Sequence, residues 1–335
     1  MKLNNKEDTY SHSHYLEWIQ KICAAKGIHI SKEITQIKDG KLLRISSSVG
    51  NLYLKKTGDF IVDELRFTLK LMELRIISQP EVIGWDYDMN VCLMRDIGGD
   101  DLTNLPQLSI ETAINMFISL AHIQKDSVRF VMEKSISGFD YRISTMLDEL
   151  KTLPEYACKM LSETPYRLSQ SEAEKLKHNT EYAKTILKSL ENNGLPNIVH
   201  HGDLGTYNVR IVDGKSIFYD WGCGGVSHPF FDTFRLLYSI RGKLPVESAK
   251  EMIIDAYVQE WLAYGSHEEI KNIFSAVDGL AGFYMAYVKY IRARNQYLLY
   301  TEKSEKTSMD AIWMDERHNV AATYLREFIA NNFRF

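Results

Sequence analysis

The chain has 335 residues, 45% hydrophobic and 25% charged, an ordinary globular composition with length for one large domain or two smaller ones. Its 40 basic and 44 acidic side chains give a formal net charge of −4, which excludes the basic footprint that nucleic-acid binding requires. No stretch approaches the roughly eighteen apolar residues of a membrane span, and Met1 to Tyr10 lack the apolar run of a secretory signal, so a cytoplasmic protein with neither nucleic-acid nor membrane partners is expected.

Leu16, Ile19, Ile22 and Cys23 recur at helical spacing and stop at Gly27, which predicts a leading helix over 14–25. From Ile30 to Lys56 short β-branched runs are broken at Asp39-Gly40 and Gly50-Asn51, a pattern of three strands joined by hairpin turns. A helical period returns over 60–77 with Leu65, Leu69, Met72 and Ile76, and Pro80 ends it. One more strand runs through Asn90 to Met94. Beyond Ile97-Gly98-Gly99 the pattern is helical near 109–126, 141–161, 170–192, 246–264, 267–300 and 308–332, interrupted from Ile198 to Tyr219; residues 302–308 read as a mobile loop. Cys23, Cys92, Cys158 and Cys223 lie far apart without a Cys-x-x-Cys pair, as expected of reduced packing thiols.

The densest chemical signal is Val199-His200-His201-Gly202-Asp203-Leu204-Gly205-Thr206-Tyr207-Asn208, followed by Asp220-Trp221-Gly222. Asp213-Gly214 is a two-residue turn pair, so Val212 should face Lys215 and, counting outward, Asn208 should face Tyr219. That register leaves Asn208 beside Asp220, an amide oxygen and a carboxylate able to share Mg²⁺. Asp203 then lies on the loop feeding the hairpin, where it can accept the proton of an attacking hydroxyl, with His201 bracing the loop.

His201-x-Asp203 with Asn208 five positions after the aspartate, and Asp-Trp-Gly twelve residues later, resembles the kinase catalytic loop and metal-binding triplet of the aminoglycoside phosphotransferase and choline kinase group. The continuation His228-Pro229-Phe230-Phe231-Asp232 is similar to the Pro-x-x-Asp that often starts a helix in that group, which makes Asp232 an N-cap or loop brace. The resemblance implies an α+β, two-lobed protein-kinase-like fold: a small antiparallel-sheet lobe with a leading helix over 1–96, and a mostly helical lobe with catalytic loop and substrate site over 97–335. It implies Asp203 as catalytic base, Asn208 and Asp220 as Mg²⁺ ligands, Lys55 in Leu52-Tyr53-Leu54-Lys55-Lys56 as the phosphate-holding lysine, and Glu64 as its partner. Backbone groups of Arg95, Asp96 and Ile97 would meet the adenine edge.

The chain departs from the pattern in lacking a Gly-x-Gly-x-x-Gly loop; the segment Ile37-Lys38-Asp39-Gly40 is the candidate for that place. Gly205-Thr206-Tyr207 replaces the more usual His-Pro-Gly. His122, in Leu120-Ala121-His122-Ile123-Gln124, is expected to be a packed histidine. Asp255, Glu260, Glu268, Glu269 and Asp315 on the last helices are candidates to attract a cationic substrate. The expected activity is transfer of phosphate from ATP, with GTP as an alternative, and with Mg²⁺, to a hydroxyl of an aminoglycoside-like antibiotic or related small molecule. A metabolic small-alcohol kinase of the choline, sugar or amino-alcohol type and a regulatory pseudokinase are the rival readings, and assembly as a monomer or a homodimer stays open.

Overall fold

The computed structural model describes residues 12–37, 42–57, 64–77, 80–134, 136, 138–302 and 308–330. In chain order it has α1 (His12–Ala25), β1 (Ile30–Ile37), β2 (Leu42–Ser47), β3 (Gly50–Lys56), α2 (Glu64–Glu73), β4 (Val82–Asp86), β5 (Val91–Arg95) and β6 (Asp100–Asp101). There follow α3 (Ile110–Met132), β7 (Phe139–Tyr141), α4 (Ile143–Glu149), α5 (Leu153–Leu161), α6 (Gln170–Leu190), β8 (Ile198–His200), β9 (Val209–Val212), β10 (Lys215–Phe218) and β11 (Gly225–Ser227). The last elements are α7 (Phe230–Ile240), α8 (Ala249–Gln259), α9 (His267–Asp278), α10 (Ala281–Glu302) and α11 (Ser308–Ile329). Two compact units result, one of Met1–Leu105 with Thr206–Gly224, the other of Pro106–Gly205 with Gly225–Phe335.

In the first unit α1 buries Tyr15, Ile19 and Cys23, spaced four apart on one face, in a core with Leu43, Ile45, Leu52, Leu54, Ile83 and Leu93. Gly27 at φ +67 closes the helix, its N–H donating to Ala24 O (3.1 Å) while Ile28 N–H donates to Cys23 O (2.9 Å), the paired bonds of a Schellman stop. The sheet runs β1-β2-β3-β5-β4, antiparallel throughout. Its second turn falls earlier than the glycine suggests: Ser47 pairs with Gly50, so Ser48 and Val49 form the loop. The Ser47 hydroxyl fixes it by donating to Gly50 O at 2.6 Å. The Asp39-Gly40 turn lies outside the described residues.

Strand β4 carries no alternating pattern that would announce it, because Gly84 interrupts a five-residue run and the register shifts between Val82 and Gly84. The hairpin β9-β10 keeps the expected register, Val212 opposite Lys215, and extends outward as Tyr219 N–H donates to Asn208 O at 3.1 Å. Asp213 and Gly214 both have positive φ, 48° and 75°, the turn whose twist suits a two-residue hairpin.

The second unit is helical around a small sheet in which β11 pairs parallel with β7 and antiparallel with β8. The single helix expected over 141–161 is three elements, because Pro154 cannot donate a backbone N–H and sits in the first turn of a new helix, α5. The one expected over 267–300 is likewise divided, α9 ending at Asp278 and α10 starting at Ala281. Helix α7 buries nearly every side chain, Phe230, Phe231, Phe234 and Arg235 among them, so it has no polar face for a periodicity reading to find. No described helix is long and apolar enough to cross a membrane.

Candidate active site

Strand β3 sorts its two lysines by alternation. Leu52 and Leu54 enter the core, and on their face Lys56 places its ammonium 4.4 Å from the Tyr15 ring centre. Lys55 points to the opposite face, where it forms an ion pair with Glu64 in the first turn of α2 and a second with Asp220 Oδ1 at 2.8 Å. Burial alone would lower the Lys55 ammonium; Glu64 and then Asp220 outweigh it and hold the lysine charged far above its usual range. Burial pushes the Glu64 carboxyl up, opposed by Lys55 and helped by the Asp220 charge. Cys92, opposite Lys55 on β5, is an inert thiol there, pushed by burial up to about 12.

Asp220 sits in the left-handed region at φ 65, ψ 60, a conformation that aspartate tolerates better than most side chains and that often marks functional backbone. Two residues on, Gly222 leaves room for Glu64: a Cβ there would lie 2.9 Å from the glutamate carboxyl carbon. Asn208 is buried immediately before β9, at the end of a single 3-10 turn. An amide oxygen and a carboxylate suit Mg²⁺ that takes its other oxygens from phosphates and water. Among the described residues no group of three or more His, Cys, Asp or Glu side chains gathers as a self-sufficient metal cage.

At the end of β5 the Arg95 side chain pairs with Glu81 (2.9 Å), and the N–H groups of Arg95 and Asp96 donate to Glu81 O (2.9 Å) and Asn51 O (3.0 Å). The Asp96 carboxylate accepts from Gly98 N–H at 3.0 Å. These bonds engage the two N–H groups that precede Ile97, while the Ile97 N–H donates to no described residue.

In the second unit the loop after β8 is tied down from α7. Asp232, in that helix's first turn, accepts from His201 N–H (2.7 Å) and Gly202 N–H (3.2 Å) and lies 3.0 Å from His200 Nδ1. It is therefore the loop brace, and Pro229 takes the N-cap position. The Tyr284 hydroxyl hydrogen-bonds His200 Nε2, and His201 Nδ1 accepts from Asp203 N–H at 3.4 Å.

Asp203 keeps 22% of its side chain exposed and is surrounded by cations. Its Oδ1 forms an ion pair with Arg235 of α7, and Lys289 Nζ of α10 stands 3.4 Å from the same oxygen. Burial would raise the Asp203 carboxyl, but Arg235, then Lys289, Arg292 and His201 outweigh it and hold it far below the usual carboxylate range.

The sequence does not single out His200, Arg235, Lys289 or Arg292. Arg235 had a signal available, since it follows Asp232 by one helical turn and shares its side of α7. Lys289 and Arg292 lie more than eighty residues from Asp203, and only the fold brings them to it. His122 contradicts its expected role: its side chain is 57% exposed and faces Glu260 Oε2 at 3.2 Å. On α3 the inward positions are Ala121 and Gln124, one turn apart, and Gln124 is the packed polar residue, donating to Pro229 O (2.9 Å) and accepting from Tyr257 Oη (2.6 Å).

Residues 53–269 match the phosphotransferase enzyme family. The chain belongs to that family and is a small-molecule kinase. Its fold is the α+β, protein-kinase-like fold of solved structures that align over nearly the whole chain. A choline kinase from Cryptosporidium parvum superposes with a TM-score of 0.62 at 13% identity, covering 95% of each chain. The choline kinase LicA from Streptococcus pneumoniae gives 0.56 at 14%, covering 94% of this chain and 99% of its own. A macrolide 2'-phosphotransferase from Brachybacterium faecium gives 0.55 at 11%, covering 93% and 98%. No curated protein sequence matches significantly.

Proposed function

We propose that the chain transfers the γ-phosphoryl group of ATP, with Mg²⁺, to a hydroxyl of a small molecule in the cytoplasm. The observation that carries this reading is Lys55 held charged between Glu64 and Asp220; the lysine would meet phosphate oxygens and Asp220 the metal. The Ile97 N–H is the hinge donor for the nucleotide base, among the backbone groups of Arg95 to Ile97. Asn208 and Asp220 are the residues that would hold Mg²⁺, which when bound neutralises phosphate charge.

Asp203 accepts a hydrogen bond from the acceptor hydroxyl. The hydroxyl oxygen forms the new bond to the γ-phosphorus, the bond to the β-phosphate oxygen breaks, ADP leaves, and the hydroxyl proton passes to Asp203. Because Arg235 and Lys289 hold Asp203 so firmly ionised, it orients the hydroxyl first and takes the proton late, as a loose transition state allows. Four of the five acidic residues that could attract a cationic acceptor on the last helices are already engaged within the chain. Asp255 pairs with Lys271 (2.7 Å), Glu260 with Lys125, Glu269 caps its own helix through Ser266, and Asp315 accepts from the Tyr166 hydroxyl (2.9 Å).

Calorimetric titration of nucleotide tests the reading. ATP is expected to bind only with Mg²⁺, and Lys55→Met and Asp220→Ala are each expected to weaken binding at least tenfold; metal-independent binding that ignores both substitutions would overturn it.

A further inference from the structure

On α10, Met285, Lys289, Arg292 and Gln296 succeed one another at intervals of four, three and four, so they share one face of the helix. Met285 Sδ lies 2.9 Å from Arg235 Nη1, and Arg235 in turn holds Asp203. Lys289 reaches Asp203 Oδ1 at 3.4 Å, with its ammonium 5.7 Å from the Tyr324 ring of α11. Arg292 stands one turn further along and still acts on the Asp203 charge. Beyond it Gln296 holds a buried amide oxygen that accepts from no described residue.

Arg235 and Lys289 thus meet the same carboxylate oxygen, and Arg292 adds its charge from the next turn. Glu327 of α11 acts on Tyr324 beside Asp203. The potential at Asp203 is positive enough to reverse the effect of burial on its carboxyl. An ammonium group carried close to the reacting hydroxyl meets that field as repulsion, and a carboxylate or phosphate group meets it as attraction.

We propose that the acceptor is an anionic hydroxyl compound, bearing a carboxylate or a phosphate group, whose negative group is held by Lys289 and Arg292 while Asp203 receives its hydroxyl. Arg235 acts as a positioning residue, fixing the Asp203 carboxylate rather than touching the acceptor. Arginine and lysine on successive turns suit either anion, the guanidinium binding two oxygens in its plane and the ammonium one. The inference rests on Asp203 being the acceptor-side carboxylate of the proposed kinase.

The test is a thermal-shift titration of the full chain with gluconate, tartrate, glucose 6-phosphate and glycerol 3-phosphate, beside choline, ethanolamine and kanamycin. At least one anionic compound is expected to stabilise the protein, with hydroxy acids against sugar phosphates telling the two anion types apart. Lys289→Gln and Arg292→Gln are each expected to weaken that binding tenfold or more, and Lys289→Arg to restore most of it. Stabilisation by cationic alcohols alone, by none of the compounds, or by anions equally in wild type and both variants would overturn the proposal. The two readings fail separately. Asp203-dependent phosphorylation of choline or kanamycin would keep the kinase and sink the anionic acceptor, whereas variant-sensitive anion binding without Mg²⁺-dependent nucleotide binding would do the reverse.

Discussion

Gly222 packs against Glu64 so closely that a β-carbon would stand 2.9 Å from both the carboxyl carbon and Oε2 of the glutamate. The Asp220-Trp221-Gly222 turn and the partner of Lys55 are thereby fitted to one another within a single unit. Gly222→Ala is expected to push the Glu64 side chain aside, release Lys55 toward Asp220, and weaken MgATP binding about tenfold, roughly 1.4 kcal/mol. Titration calorimetry checks it; an unchanged affinity would mean that Glu64 does not set the lysine's position.

The alternation of β3 separates two neighbouring lysines. Lys55→Met is expected to abolish turnover at modest cost to folding. Lys56→Met, which loses a cation–π contact with Tyr15, is expected to keep turnover and to lower stability by about 0.5–1 kcal/mol. Chemical denaturation beside a coupled ADP assay distinguishes the pair, and the opposite assignment would place the phosphate-holding role on Lys56.

Asp232 satisfies two loop N–H groups and lies beside His200, all of them buried. Asp232→Ala leaves those donors without their acceptor, and a loss of about 1–3 kcal/mol in stability for each unsatisfied buried donor is expected. The measurement is urea denaturation. A loss below about 1 kcal/mol would show that the loop holds its shape without this carboxylate.

Stability is expected to fall on mild acidification because His228 is buried neutral, its imidazole pushed by burial down to about 3. In the unfolded chain the same ring takes a proton near 6.5, so below that pH the unfolded state binds the extra proton and folding weakens until pH reaches about 3. Asp203 works in a lower window: its folded pKa lies far below the unfolded value, so its ion pairs stabilise the protein above about pH 4 and are lost only as pH falls toward the folded value. Denaturation midpoints between pH 7 and 5 test the histidine, with His228→Gln expected to flatten the slope.

Local order carried much of the fold into the sequence. The leading helix, the three strands up to Lys56 and the Asp213-Gly214 hairpin rest on periodicity and turn chemistry, which act over a few residues. The hairpin register also carried the cross-strand position of Asn208 opposite Tyr219, because two-residue turns fix pairing outward from the turn. What escaped is non-local or aperiodic. Strand β4 is short and broken by a glycine, α7 is buried all round, and Arg235, Lys289 and Arg292 reach Asp203 only because helices distant in sequence pack around the loop. His122 was misleading for a related reason, since the side of α3 that faces inward is set by its packing partners and not by the histidine itself.

In the proposed reaction Asp203 serves transfer of phosphate from MgATP to a hydroxyl. Phosphorus NMR of the protein incubated with MgATP and the anionic acceptor that stabilises it best tests this most directly. A new phosphate monoester signal growing in step with ADP, and absent with Asp203→Ala although that variant still binds MgATP, is the predicted result. A monoester formed equally by the Asp203→Ala variant would remove Asp203 from that role.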